Sequence, residues 1–183
     1  MNIEKTFIKN LVVINPSVFE DSRGYFFEAY NKTKFNENGI EYQFIQDNQS
    51  FSKRGVIRGL HLQINPFAQA KLVRVLEGEI LDVAVDLRKN SSTYGQHFSV
   101  VLSAENKKQL MVPHGFAHGF SVLSETASVL YKVDQSYNKD SERGIRYDDP
   151  TLSIDWQVNS EDAIVSEKDL MLPSFNEIDW IFE

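Results

Sequence analysis

The chain contains no cysteine. Disulfides and thiolate metal sites are therefore excluded, and the simplest compartment is a reducing cytosol. No apolar run is long enough to span a bilayer, and the opening MNIEKTFIKNLVVIN lacks a hydrophobic core of signal-peptide length. A cytoplasmic protein is expected. Positive charge is scarce: 19 Lys and Arg stand against 26 Asp and Glu, for a formal net charge of -7. General affinity for nucleic acid rests on neutralising phosphates, and this balance argues against it. A local basic pocket for one anionic small molecule stays compatible with it. There is no repeat, no low-complexity tract and no sustained helical periodicity. Neither GxxxxGK[ST] nor GxGxxG occurs, so bound phosphates would be held by Arg and Lys side chains.

What is present is a globular balance of 42% hydrophobic and 25% charged residues over 183 positions, read as one domain spanning 1–183. Residues 10–15, NLVVIN, suit a short strand stopped by Pro16. Asp21-Ser22-Arg23-Gly24 is turn chemistry, and Tyr25 to Tyr30 is aromatic enough for a strand. Taken alone, Arg23 and Glu28 read as a solvated turn and a strand-edge charge. Residues 31–39 suit a short helix ended by Gly39. The amide-rich stretch 44–52 is extended, with Gln46 and Asn48 on one face. In VIRGLHLQI (56–64), alternation sets His61 and Gln63 on one face and Arg58, Leu60 and Leu62 on the other. Arg58 joins His61 only if the strand is irregular, and Gly59 predicts that irregularity.

Residues 64–70 form a loop broken by Pro66. KLVRVLEGEILDVAVDLR (71–88) reads as two strands joined by a hairpin turn at Glu77-Gly78. Leu81, Val83, Val85 and Leu87 form one apolar face, with Asp82 and Asp86 on the other. A strand follows at 97–103, then a polar loop runs into a short strand before Pro113. Residues 114–124 and 127–133 read as a strand pair around Ser124-Glu125-Thr126, with Tyr131 facing inward beside Val129 and Val133. Residues 134–150 are loop-like and charged, and SEDAIVSEKDL (160–170) suits a short helix. Roughly ten short strands predict an all-β sandwich or barrel, a jelly roll by preference, able to hold one small ligand in its mouth.

Chemistry concentrates at 54–74. Histidine as a residue type titrates near neutrality, which makes His61 the natural general base, given its company of Arg58, Lys71 and His118. Tyr131 is a second proton-transfer group, and Lys71 can stabilise an oxyanion or enolate. Together they describe proton abstraction beside a carbonyl, with return from another direction. A carboxylate such as Asp169 could orient His61, although spacing alone gives no contact. A metal is the weaker idea. Of the four histidines only His114 and His118 are close, on a Gly-rich stretch that does not read as a helix, and the neighbourhood is cationic.

The segments FEDSRGYFFEAY, FIQDNQS, RGVIRGLHLQ, AKLVRVLEGEILDVAVDLRKNSSTYG, LSAENKKQLMVPHGFAHGFSVLSETA, YKVDQSY, ERGIRYDDP with IDW, and SEKD run in order from about residue 10 to 170. As a set they resemble the dTDP-4-dehydrorhamnose 3,5-epimerases of the cupin superfamily. The resemblance implies a jelly-roll cupin with a few short helices, a homodimer, and neither metal nor cofactor. The reaction it implies converts dTDP-4-dehydro-6-deoxy-D-glucose to dTDP-4-dehydro-L-rhamnose, inverting C3 and C5 through enolates, in dTDP-L-rhamnose synthesis for surface polysaccharide. It makes His61 the base, Asp169 its partner, Tyr131 the acid and Lys71 the enolate stabiliser. It places Arg23, Glu28, Gln46, Asn48, Arg58, His118, Glu142 and Lys168 on the ligand and Tyr137 near the nucleotide base. It also implies that an N-terminal segment, about 1–50, serves the partner subunit's site. Two positions depart from the pattern: His114 follows Pro113, and Tyr147 replaces the more usual Trp. The alternatives are an epimerase of a single centre, C3 or C5, a ketoisomerase of another 4-keto-6-deoxy sugar nucleotide, and a non-catalytic sugar-binding cupin.

Overall fold

Thirteen strands and two short helices follow one another along the described residues, 1–180 and 182, of the computed structural model. The N-terminal part holds β1 (Asn2–Lys5), β2 (Val12–Asn15), the hairpin strands β3 (Phe19–Asp21) and β4 (Gly24–Phe26), and helix α1 (Lys32–Glu37). The central part holds β5 (Gln46–Lys53), β6 (Ile57–Gln63), β7 (Lys71–Glu77), β8 (Glu79–Asp86), β9 (His97–Ser103) and β10 (Gln109–Val112). Then come β11 (Phe116–Val122), β12 (Thr126–Val133), β13 (Glu142–Gly144) and helix α2 (Glu167–Leu170). One sheet has the order β1-β2-β10-β7-β12-β5 and the other β13-β6-β11-β8-β9, while β3 and β4 pair separately. The fold is an all-β sandwich of jelly-roll, cupin type.

The two sheets are held by apolar side chains that meet between them. Val73, Val75 and Val129 from the six-stranded sheet pack on Ile80, Ala84, Phe116 and Phe120 from the five-stranded sheet. A second layer lies on the outer face of the five-stranded sheet. There Leu60, Leu81, Val83 and Val85 are covered by Ile145, Leu152 and Trp156 of the C-terminal segment. Strand β8 is therefore buried on both faces, which explains why apolar residues occupy both parities of it. The face carrying Leu81, Val83, Val85 and Leu87 packs outward under that segment. Asp82 shares parity with Ile80 and Ala84, which lie between the sheets.

Several local expectations hold: the strands at 10–15 and 97–103, the helix behind an Asn31 cap, and the Ser22-Arg23 turn. Others need correction. Glu77-Gly78 does not close a hairpin, because β7 pairs with β10 and β12 while β8 pairs with β9 and β11. It is a corner that carries the chain from one sheet to the other. The stretch Ser124-Glu125-Thr126 is the same kind of corner, since β11 and β12 lie in different sheets. Turn residues signal a reversal or a bend alike, and only the partner strands distinguish them. Tyr25 to Tyr30 keeps strand structure only to Phe26, the 160–170 helix shrinks to α2, and the 134–150 loop contains β13.

The two corners touch. Gly78 has φ +76°, and a Cβ on it would lie 2.0 Å from the Thr126 carbonyl oxygen. Ser124 donates its hydroxyl to the same carbonyl at 2.6 Å and accepts from the Glu79 N–H at 2.7 Å. Gly78→Ala is expected to lower stability by about 2 kcal/mol or more, through the left-handed backbone and the clash together. Urea unfolding measures it; a loss under about 0.5 kcal/mol would contradict the corner packing.

Candidate active site

Strands β6 and β11 run side by side, with His61 directly opposite His118. The register shifts between His118 and Phe120, and Gly59 sits opposite that shift with φ +131°. A Cβ at Gly59 would stand 2.5 Å from the Gly119 Cα, so the two backbones approach more closely than side chains permit. The expected irregularity is therefore present. Through it Arg58 and His61, on opposite faces of a regular strand, line one cavity of about 530 Å³.

Lys71, His118, Tyr131, Lys168 and Asp169 join them in its lining, with Ser50 and Ser166. His61 Nε2 lies 2.8 Å from Asp169 Oδ1, and Asp169 Oδ2 accepts the Gly59 N–H at 3.2 Å. Ser166 caps α2, accepting the Asp169 N–H at 3.1 Å, so this one-turn helix is fixed by the residue just before it. Burial acts to raise the Asp169 carboxyl, but contacts from His61, Gly59 and Ser166 outweigh it and hold it below the usual carboxylate range. Lys71 Nζ donates to the His61 carbonyl at 3.2 Å. Burial pushes this ammonium down to about 8, against the opposing pull of Asp82 and Glu142. Tyr131 packs against the inter-sheet core, and burial raises its hydroxyl while the Arg58 charge opposes the shift. Arg58 itself donates to Ser52 Oγ at 3.0 Å and to the Phe51 carbonyl at 3.4 Å.

A recess of about 260 Å³ adjoins this cavity and shares His61, Lys71 and Tyr131 with it. Gln46, Asn48, Tyr137 and Glu142 line it. Gln46 donates to Asn48 at 2.8 Å, and Tyr137 Oη donates to Glu142 at 2.9 Å. Lys168 Nζ donates to the same Glu142 oxygen at 2.7 Å and so links the two spaces. Eleven of the thirteen residues singled out in the sequence thus meet around one connected site. Arg23 and Glu28 do not. Arg23 pairs with Asp21 at 2.6 Å, and Glu28 is held by Asn31 and Lys34, all on exposed surface. A cavity of about 580 Å³ near Ile3, Lys9 and Tyr42 contains none of the thirteen. Among the described residues, no three His, Asp or Glu side chains converge in a group able to hold a metal ion.

Sequence reasoning missed Asp82. It is fully buried, with Oδ1 2.7 Å from His118 Nε2 and Oδ2 without a hydrogen-bond partner. The available signal was an aspartate in the middle of ILDVAV, since a buried carboxylate in an apolar strand needs a partner. Chemically, the site offers a base braced by a carboxylate, a phenol, and a lysine for developing negative charge.

The family model described as dTDP-4-dehydrorhamnose 3,5-epimerase matches residues 5–177. The chain is 51% identical over 166 residues to the dTDP-4-dehydrorhamnose 3,5-epimerase of Methanothermobacter thermautotrophicus, covering 90% of this chain and 89% of that one. It is similar to the crystal structure of dTDP-4-dehydrorhamnose 3,5-epimerase from Elizabethkingia anophelis. There the TM-score is 0.95 and the identity 54%, over 98% of this chain and 99% of that one. It also matches a 3,5-epimerase from Legionella pneumophila solved in complex with dTDP-4-keto-L-rhamnose. That match has a TM-score of 0.93 and 47% identity, and covers 97% of this chain and 94% of the other.

Asp169→Asn is expected to cost about 1–3 kcal/mol of stability near neutral pH. The carboxyl is depressed in the fold, so its contribution is complete above the unfolded value near 3.8 and disappears as pH falls through the lower folded value. Urea unfolding at about pH 7 and pH 3 should show the gap between wild type and variant closing at low pH. A gap that stays constant would contradict an ionised Asp169 held by these contacts.

Proposed function

Because the chain belongs to the dTDP-4-dehydrorhamnose 3,5-epimerase family, we propose that it converts dTDP-4-dehydro-6-deoxy-D-glucose to dTDP-4-dehydro-β-L-rhamnose. It does so in the cytoplasm, as a step of dTDP-L-rhamnose synthesis. One observation carries the reading: His61 and Tyr131 reach the same cavity from the two different sheets. Inversion requires a proton to leave one face of a carbon and another to arrive on the opposite face. A base and an acid on facing walls meet that requirement, whereas a binding module needs neither.

The Nε2 of His61 is engaged by Asp169, which leaves Nδ1 to take a proton from C5 or C3, each adjacent to the C4 carbonyl. Electrons from the broken C–H bond move onto the C4 oxygen as an enolate. Lys71, carrying its charge, stabilises that oxygen. Tyr131 gives its proton to the other face of the carbon, and the carbonyl re-forms. Protons alone are exchanged and no electrons are gained or lost, so the assay is run without nicotinamide. Arg58, His118 and Lys168 suit the diphosphate and sugar oxygens. Gln46, Asn48 and Glu142 hold the adjoining end of the ligand, and Tyr137 stacks on the nucleotide base.

Arg23 and Glu28 enter through a second copy. The hairpin β3–β4 leaves Phe19, Tyr25 and Phe26 exposed, an aromatic surface more than half open to solvent. We read this as the surface of a homodimer in which residues of about 1–50 complete the partner's site.

In D2O, NMR is expected to find deuterium at both C3 and C5 of the product. His61→Asn should abolish exchange at both carbons. Tyr131→Phe should keep exchange while slowing inversion by about 10² or more. Exchange at one carbon alone would make this a single-centre epimerase, and none at either would remove the enzyme reading for this substrate. The pH profile gives a separate check. Lys71 acts as the cation and loses its proton near 8, so kcat/KM should fall above that pH. In Lys71→Arg the remaining activity should lack that alkaline limb, because guanidinium stays charged. An unchanged limb would assign it to another group.

A further inference from the structure

Gln63 follows His61 by two residues on β6 and is buried, yet the mechanism does not use it. Its amide is spent on backbone from two directions. Nε2 donates to the carbonyl of Phe67 at 2.6 Å and to that of Ser136 at 3.1 Å. Oε1 accepts the N–H of Asn138 at 2.6 Å. Ser136 and Asn138 are the residues on either side of Tyr137. One side chain on the base strand therefore grips the chain immediately before and immediately after Tyr137, more than 70 residues away.

Tyr137 needs such a grip. The residue is 58% exposed, and its segment has no strand partner between β12 and β13. Among the described residues its one side-chain anchor is the hydroxyl on Glu142, and Glu142 is the β13 residue paired with Gln63. Both ends of the tyrosine are thus referred to the same point on β6. We infer that Gln63 is a positioning residue that fixes Tyr137 over the recess and so sets binding of the nucleotide end of the ligand. The inference rests on the reading of Tyr137 as a ligand contact. The bonds themselves dictate the residue type, because two donated bonds and one accepted bond from one buried group require a primary amide. Glutamate keeps the acceptor but turns a second oxygen toward two carbonyls, and methionine keeps the volume with neither function.

The test compares Gln63→Glu, Gln63→Met and Tyr137→Ala with wild type, using the 4-keto sugar nucleotide for kinetics and dTDP for calorimetric binding. Both Gln63 variants are expected to raise KM and the dTDP Kd about tenfold or more, with kcat and D2O exchange at saturation within about threefold. Gln63→Met combined with Tyr137→Ala should bind dTDP no more weakly than Tyr137→Ala alone, since the two act as one unit. KM and Kd within about twofold of wild type, a loss confined to kcat, or additive effects in the double variant would each overturn the inference. If neither variant keeps the wild-type circular dichroism spectrum, Gln63→Asn, which shortens the reach and keeps the amide, is held to the same outcomes. Failure of wild type itself to bind dTDP or turn over would overturn the functional reading instead.

Discussion

The close approach of β6 and β11 at Gly59 and Gly119 is the constraint on which the site depends. A Cβ on Gly119 would lie 2.7 Å from the Arg58 carbonyl oxygen, just as one on Gly59 would meet Gly119. Two facing glycines let the register slip, and the slip turns Arg58 to the side of His61. It also frees the Gly59 N–H from the ladder and aims it at Asp169. One backbone irregularity therefore brings Arg58 and His61 to one cavity, opens the close approach of two strands and supplies a donor to Asp169. Any larger residue at either position would disturb all three together.

That geometry answers how a chain of net charge -7 can present a site for an anion. Arg58, Lys71 and Lys168 reach one cavity, while the carboxylates nearest them are engaged. Asp82 faces His118, Asp169 faces His61, and Glu142 takes bonds from both Tyr137 and Lys168. Desolvation of Lys71 costs it part of its basicity, and Asp82 and Glu142 return some of it. Overall charge describes the surface, whereas ligand choice depends on the few groups that share a low-dielectric recess.

Much of this was legible in the sequence where the signal is local. Glycine inside VIRGLHLQI marks a strand that cannot stay regular, and parity with Val129 and Val133 places Tyr131 inward. The corners at Gly78 and Ser124 were not legible, because turn chemistry gives no information about which strand comes next across a ladder. Asp82 was read as a polar face because alternation gives the face but not what covers it. Here a C-terminal layer buries the outer face and leaves the aspartate inside. The contact of His61 with Asp169 spans 108 positions, so no spacing rule reaches it: chemistry made Asp169 a candidate to orient His61, and resemblance to the family paired the two. Arg23 and Glu28 were named on the same ground, and within one chain they stay on the surface.

The distance from His61 to Asp169 along the chain also determines what their contact requires of the fold. The carboxylate comes on a C-terminal strap that runs beside the start of β6, where Ile57 N–H donates to the Ile164 carbonyl at 3.0 Å and Ile164 N–H to that of Gly55 at 2.9 Å. Upstream, the strap is docked by Trp156, whose Nε1 donates to the Tyr147 carbonyl at 2.7 Å and whose carbonyl accepts Ser121 Oγ at 2.6 Å. Ser121 and His118 belong to the same strand, β11. The outer layer is thus tied to the cavity between the sheets: Trp156 docks the segment that carries Asp169 to His61. Packing on the outer face of β11 and the cavity lined by His118 on its inner face are separated only by the thickness of a single strand.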